Sequence, residues 1–141
     1  MDFVVTNHES GNAGAVFAYE VPPNFKSQPW SKHTLLNHIQ THQFGFNSAA
    51  PGSPLVFYPS RDKRNKPWII VSGDGSQQVH LLVPESQNPS DWQYSEHILL
   101  NTHSTVGKLA VADVDGNGYP KIFVPAYDNN EIEILTIRPS E

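Results

Sequence analysis

The segment 113–121 (DVDGNGYPK) holds the side chains best suited to binding a metal ion. Its first, third and fifth residues are Asp, Asp and Asn. Oxygen ligands at alternate positions can surround a hard cation, and the glycines allow the tight turn between them. An EF-hand is excluded, because its twelfth position needs Glu and is Val124 here. The ammonium group of Lys121 leaves two interpretations open. The segment is either a calcium loop weakened by Lys121, or a structural turn whose carboxylates Lys121 neutralises.

Histidines form a second group of candidates, because imidazole binds metals and titrates near neutral pH. The chain has seven of them. His38, His42 and His103 are predicted to lie in loops, where binding residues concentrate. We predict that His38 and His42 contact a ligand, with His103 as a further candidate. His33 and His97 occupy equivalent places in a repeated sequence, which favours a structural role for both.

Aromatic side chains suit carbohydrate binding, because they present broad apolar surfaces with polar rims. Phe44 and Phe46 lie in a long segment without strand character, so we predict that they contact a ligand. Trp30 and Trp92 each precede a similar strand, which favours a packing role for these two residues.

Composition excludes several functional classes. The 141 residues include 9 basic and 14 acidic side chains, and the net charge of -5 disfavours a nucleic-acid partner. The absence of cysteine removes disulfides and thiol catalysis. No run approaches the roughly 20 apolar residues of a membrane-spanning helix, and no signal peptide is visible. Neither a Gly-x-Ser-x-Gly motif nor a phosphate-binding loop occurs, so no catalytic constellation is complete.

The elements that must position these residues are short strands. Short apolar runs are separated by Gly, Pro, Asn, Asp and Ser, and no window keeps a helical period over three turns. This pattern predicts an all-β fold. The predicted strands are Phe3–Thr6, Ala15–Val21, Lys32–Leu36, Leu55–Tyr58, Trp68–Val71, Val79–Val83, Tyr94–Leu100, Lys108–Val111, Ile122–Val124 and Glu131–Ile137.

Internal similarity selects a propeller among all-β folds. The pentapeptide at 33–37 (HTLLN) returns at 97–101 (HILLN), and each copy follows a tryptophan. The strands that flank 61–66 are likewise similar to those that flank 113–121. Four-stranded units at this spacing suit β-propeller blades, and the chain holds about two and a half of them. We expect one all-β segment, 1–141, with blade parts 1–37, 53–101 and 107–138.

With its flanks, the metal-binding candidate reads LAVADVDGNGYPKIFVPAY (109–127) and resembles the FG-GAP/VCBS repeat family. Blades of that family carry a D-x-D-G-D/N-G-x-x-D loop between their first two strands, and they occur in fungal lectins, integrin-like heads and a fungal sugar dehydratase. The resemblance implies Ca2+ or another divalent metal, held by the side chains of Asp113, Asp115 and Asn117 and by the carbonyl of Tyr119. Lys121 stands where the family has its last Asp. The resemblance also favours an extracellular location.

These features predict a non-enzymatic binding protein with a carbohydrate or protein ligand. Two alternatives stay open. One is a fragment of a metal-dependent sugar dehydratase of the fungal aldos-2-ulose dehydratase type, a carbon–oxygen lyase. The other is a partial gene product without activity of its own. Because half a blade leaves strand edges unpaired, we expect a homo-oligomer or a place in a larger propeller. Two copies would supply about twenty strands, enough for five blades. Neither nucleic-acid binding nor membrane insertion is expected.

Overall fold

The computed structural model describes residues 2–42 and 48–137, and these residues form ten strands and one 3-10 turn. The strands are β1 (Asp2–Thr6), β2 (Gly14–Glu20), β3 (Ser31–Ile39), β4 (Pro54–Phe57), β5 (Trp68–Ser72), β6 (Gln78–Pro84), β7 (Tyr94–Asn101), β8 (Ala110–Ala112), β9 (Lys121–Ala126) and β10 (Glu131–Thr136). The turn spans Tyr127–Asn129. The predicted all-β class is confirmed. In the part of the chain that the structure describes, no helix has the length and apolar character to cross a membrane.

The strands form three antiparallel sheets in which neighbours in sequence pair with one another. The first sheet has the order β1-β2-β3, the second β4-β5-β6-β7 and the third β8-β9-β10. Each predicted apolar run overlaps one of these strands. The closure of such sheets into a propeller stays a prediction.

The second sheet is buried on both faces. Along β5, Ile69 and Val71 pack towards the first sheet, whereas Ile70 packs towards the third. Side chains of a strand alternate between faces, so a strand covered on both sides needs apolar residues at successive positions. The continuous run Ile69–Val71 meets this need. The residues that cover β5 from the outer sheets include Val16, Ala18 and Leu35 on one side and Ile122 and Val124 on the other.

The repeated Leu-Leu pair has a structural explanation in β-bulges. β3 has two register shifts against β2, and Leu35 is the extra residue at one of them; β7 has one extra residue, Leu99, where its register against β6 shifts. A bulge re-aims the side chain at the extra position. Leu35 and Leu36 therefore both contact the core between the first two sheets, and Leu99 and Leu100 both contact the core between the second and third.

The outer sheets bury one face each and leave the other open. Phe3 is 48% exposed on the first sheet, and Ile132 and Ile134 are 65% and 56% exposed on the third. Phe3 pairs with Tyr19, and Ile134 pairs with Phe123, so apolar side chains adjoin on both outer faces. Contiguous apolar surface of this kind marks a contact surface more often than isolated exposed residues do.

The two-sided packing predicts unequal costs for the same truncation at two isoleucines. Ile70→Ala removes a side chain that is 0% exposed, so it should lower the free energy of unfolding by about 2–5 kcal/mol. Ile132→Ala, at 65% exposure, should change it by about 0.5 kcal/mol or less in dilute solution. Urea titrations of both variants measure the two costs. Equal costs in dilute solution would contradict this packing.

Candidate functional site

The antiparallel topology separates the connections into two groups at opposite ends of the sheets. Connections that follow β1, β3, β5, β7 and β9 lie at one end, which we call the upper end; they include His8, Asp74 and Tyr127. Isolated bridges join Glu9 to Ala50 and Asp74 to Val106, so the upper connections of neighbouring sheets touch. The connections between β4 and β5 and between β8 and β9 lie at the lower end.

A groove with both polar and apolar walls crosses the upper end. It consists of two depressions of about 480 and 310 Å³ that share Gly52, Ser53 and Asp74. The first depression extends along Thr6 to His8, and the second extends to Thr105, Lys108 and Tyr127. The groove therefore spans from the first sheet, across the second, to the third.

Backbone contacts along Ser72 fix the centre of the groove. The Gly52 N–H donates to the Ser72 carbonyl at 2.7 Å, and the Ser53 N–H donates to Ser72 Oγ at 2.9 Å. Thr6 Oγ1 donates to the Gly52 carbonyl at 2.6 Å, which joins the first sheet to this segment. A Cβ at position 52 would lie 2.4 Å from Ser72 Oγ, so a larger residue would force this hydroxyl away from its hydrogen bond with the Ser53 N–H.

The side chains of His8 and Asp74 are hydrogen-bonded to each other in the groove. His8 Nε2 lies 3.0 Å from Asp74 Oδ2, and the side chains are 53% and 34% exposed. Both residues have a φ of 51°, in the left-handed region that residues other than glycine rarely adopt. Such conformations concentrate at functional sites. The pair presents acceptor and donor groups to the solvent side of the groove.

Tyr127 is the most exposed large apolar side chain beside the groove, at 76% exposure. Its N–H donates to the Thr105 carbonyl at 2.9 Å. The next residue, Asp128, accepts hydrogen bonds at 2.7 Å from both the N–H and the Oγ1 of Thr105. These bonds, with one from Ser104, hold the pKa of Asp128 below its ordinary value of 3.8. The tyrosine ring is thus presented by a well-anchored turn.

The predicted ligand-binding residues divide into three cases. His42 lies at the upper end, where its N–H donates to the Gly75 carbonyl at 2.7 Å. His38 does not lie in a loop, and that prediction is wrong. It belongs to β3 at a register shift against β2, and its φ of 59° is explained by this bulge. Phe44 and Phe46 lie outside the described residues.

The loop proposed to bind calcium directs its oxygens at hydrogen-bond donors of the chain. Asp113 Oδ2 accepts from the Gly118 N–H, and Asn117 Oδ1 accepts from the Tyr119 N–H, both at 2.9 Å. Lys121 Nζ lies 2.8 Å from Asp115 Oδ2. This ion pair is the feature expected from the second interpretation of the sequence, in which Lys121 neutralises the turn.

A second cation, Arg61, reaches this loop from the connection between β4 and β5. Its Nη2 donates to the Gly116 carbonyl and lies 3.8 Å from Asp113 Oδ2. Sequence reasoning missed this contact, although the two similar loops of opposite charge could have indicated it. With two cations at its carboxylates, the donor set does not fit a calcium ion as arranged. Within 2–42 and 48–137, no three His, Cys, Asp or Glu side chains converge on a common metal position.

A buried Ser-His-Glu chain lies within the second sheet and was also missed. Ser76 Oγ lies 3.0 Å from His80 Nε2, and His80 Nδ1 lies 2.7 Å from Glu96 Oε1. The order of groups is that of a hydrolase triad, but Ser76 is 1% exposed and His80 2%. A nucleophile needs access to its substrate, so the chain satisfies buried polar groups and does not form an active site.

Trp92 joins the first two sheets. Its ring stacks on His33, with centroids 4.8 Å apart and planes 12° apart. Its Nε1 donates to Glu20 Oε1 at 3.0 Å, and the same oxygen lies 2.5 Å from His33 Nε2. These contacts agree with the packing role that the sequence suggests for Trp92.

Comparison of the chain with known protein families, with characterised proteins and with solved structures gives no match. The resemblance to FG-GAP/VCBS repeats therefore rests on the quoted residues alone.

The lowered pKa of Asp128 predicts a pH dependence of stability. A carboxylate whose pKa is lowered by folding stabilises the folded state above its unfolded pKa, and this contribution is lost as the pH falls through the folded value. Asp128→Asn should therefore lower the melting temperature near neutral pH, and the difference from the parent should shrink below about pH 4. Thermal melts from pH 7 to pH 2 measure it. Glu131→Gln, which removes a neighbouring exposed carboxylate, is the control. A difference that stays constant to pH 2 would contradict the assignment.

The two cations at the Asp113 loop predict how calcium sensitivity can be created. EDTA should leave the melting temperature of the parent protein unchanged. Arg61→Gln with Lys121→Asp should produce a protein that calcium stabilises, because both competing cations are removed and a fourth side-chain oxygen ligand is added. Arg64→Gln with Lys63→Asp changes the charge equally in the adjacent loop and is the matched control. A clear loss of stability on adding EDTA to the parent would show that the loop binds metal as it stands.

Proposed function

We propose that the protein is a non-enzymatic carbohydrate-binding module whose site is the upper groove. The observation that supports this most strongly is the joining of two open depressions at Asp74, with an exposed ring, Tyr127, beside the second. Sugars present hydroxyl groups at their rims and C–H groups on their faces. A site for them needs charged or hydroxyl partners close to an aromatic surface.

The residues of the groove provide this combination. Asp74 offers carboxylate oxygens that accept from sugar hydroxyls, and His8 and Lys108 offer donors. Tyr127 offers a ring face and a phenolic group. The hydrogen bonds of Asp128 to Thr105 hold the turn that presents this ring, which limits the entropy lost on binding.

Binding is favoured over the dehydratase alternative by the openness of the site. The His8–Asp74 pair is the titratable pair in the groove, and its side chains are 53% and 34% exposed. Acid–base catalysis on a sugar gains from a site that excludes water. A groove whose polar side chains are open to solvent suits reversible recognition of a ligand.

The proposal also assigns the three sheets to propeller blades of the FG-GAP/VCBS kind. Support comes from their face-to-face order, the two buried cores between them and the antiparallel succession of strands within each. Ten strands per chain would give five four-stranded blades for two copies. Three separate sheets per chain would give six blades for two copies. If copies associate through the outer faces, the loss of stability caused by Ile132→Ala should increase with protein concentration.

Tyr127→Ala should weaken glycan binding by about tenfold or more, the loss of roughly 1.4 kcal/mol or more of ring contact. A glycan array identifies the ligand, and calorimetry on the best one compares the variants. Asp74→Asn should also weaken binding, because it replaces a charged acceptor with a neutral amide.

Phe25→Ala is the matched control, because Phe25 is 57% exposed and lies in the lower connection between β2 and β3. It should leave glycan affinity unchanged. Equal losses in Tyr127→Ala and Phe25→Ala, or glycan binding that survives Tyr127→Ala with Asp74→Asn, would refute the assignment of the site.

A further inference from the structure

β1 has an open edge at a position that is covered in the other two sheets. β5 is paired with β6 on one edge and with β4 on the other, and β9 is paired with β10 and with β8. β1 occupies the corresponding place next to β2. Within residues 2–42 and 48–137, β1 pairs with β2 alone. Half of its backbone N–H and C=O groups therefore point away from the sheet, as in any edge strand.

The second sheet shows the effect of this open edge on packing. Phe57 of β4 is 7% exposed and packs in the core shared with the third sheet, where β8 lies opposite. Its neighbour Val56 faces the first sheet and is 48% exposed. Side chains alternate along a strand, so Val56 points to the place where a strand beside β1 would lie. A covered Phe57 beside an uncovered Val56 locates the gap.

The gap is a lined cavity along β1. A cavity of about 300 Å³ is bounded by Val4, Val56, Trp92 and Tyr94, with Asp2 and Lys66 at its margin. The depression of about 480 Å³ at the upper end is also bounded by Val4. The free space thus follows β1 in both directions from Val4, which is the shape that an extended chain fills and a compact small molecule does not.

We infer that the open edge of β1 binds an extended polypeptide strand that has apolar residues at alternate positions. The strand adds antiparallel to β1 as a fourth strand of the first sheet, and its backbone pairs with the free N–H and C=O groups of β1. Residues that lie directly opposite each other in an antiparallel pair, such as Leu55 with Ile70 and Ala110 with Phe123, share one face of their sheet. Val4 packs towards the second sheet, so the residue opposite Val4 faces that sheet too and packs against Val56. The main-chain bonds supply affinity, and this pocket supplies the preference for an apolar side chain.

The stacked ring of Trp92 makes the cavity wall rigid. The ring is held on one side by His33 and at its edge by Glu20, so it does not have to be ordered when the strand binds. Lys66 Nζ lies 5.1 Å from the centroid of the Tyr94 ring at the same wall. The strand and the proposed carbohydrate ligand would share the depression of about 480 Å³ beside Val4. Failure of one proposal is still distinguishable from failure of the other, since the tests use different ligands and different variants.

The first experiment uses a synthetic peptide with the sequence of residues 53–58 (SPLVFY), extended by two lysines for solubility. It is titrated into the full chain labelled with nitrogen-15, to about 5 mM, above the millimolar affinity expected for so short a strand. We expect saturable shift changes that concentrate on the amides of Asp2–Thr6 and on Val56. The same peptide with proline at the position of Leu55 lacks the central N–H and should not bind.

Two variants test the apolar pocket. Val56→Lys should weaken the peptide by about tenfold, because an ammonium group would have to be buried under the added strand. Val114→Lys introduces the same side chain at a valine that is 59% exposed in the Asp113 loop, and it should leave the affinity unchanged. Equal effects of the two variants would overturn the assignment of the pocket.

A fusion tests the same inference without dependence on the affinity of a peptide. A second copy of residues 53–67, joined directly before Asp2, repeats the strand and connection that lead into β5. It should raise the melting temperature above that of the same fusion with Leu55→Pro in the added copy, and it should abolish peptide binding. Peptide shifts at β10 in place of β1, or no shifts at β1 together with equal melting of the two fusions, would overturn the inference.

Discussion

Burial of the second sheet on both faces is the constraint on which the rest of the structure depends. A sheet covered on two sides cannot alternate apolar and polar residues, so β5 has the unbroken run Ile69–Val71. Each outer sheet then places one apolar face against the second sheet and keeps its other face open. The bulges at Leu35 and Leu99 follow from the same demand, because they allow two successive leucines to enter one core.

This packing brings together connections that are distant in sequence. Gly52 contacts Ser72 at the upper end, and the bridge between Asp74 and Val106 continues the contact to the third sheet. At the lower end, Arg61 contacts the loop that contains Asp113. Because the sheets cannot slide without exposing their shared cores, these loop contacts are held in register. The groove is therefore a product of the sheet order as much as of the loop sequences.

The strands and the all-β class could be predicted from sequence, because short apolar runs and the turn residues Gly, Pro and Asn between them are local signals. The Lys121–Asp115 ion pair belongs to one of the two interpretations that the sequence allows. The two residues are only six positions apart, so their contact could be predicted from the sequence. The contacts of Arg61, Asp74 and Tyr127 depend on which loops lie next to each other in the folded chain. A single sequence carries no local signal for the pairing of distant loops. His38 was assigned to a loop because a bulge inside a strand leaves no distinct pattern at one histidine. The propeller, the metal and the carbohydrate ligand stay predictions.

The alternation of connections between the two ends has a consequence for how such a chain can change over time. Successive loops along the sequence belong to opposite ends, so a short insertion in one connection alters a single end and leaves the other as it was. The residues of the groove lie in or beside every second loop, whereas Arg61, Asp113 and Lys121 lie in or beside the loops between them. Natural selection can therefore vary the groove and the charge pairing on separate stretches of the gene, while the strands that lie between them stay under a common requirement for packing.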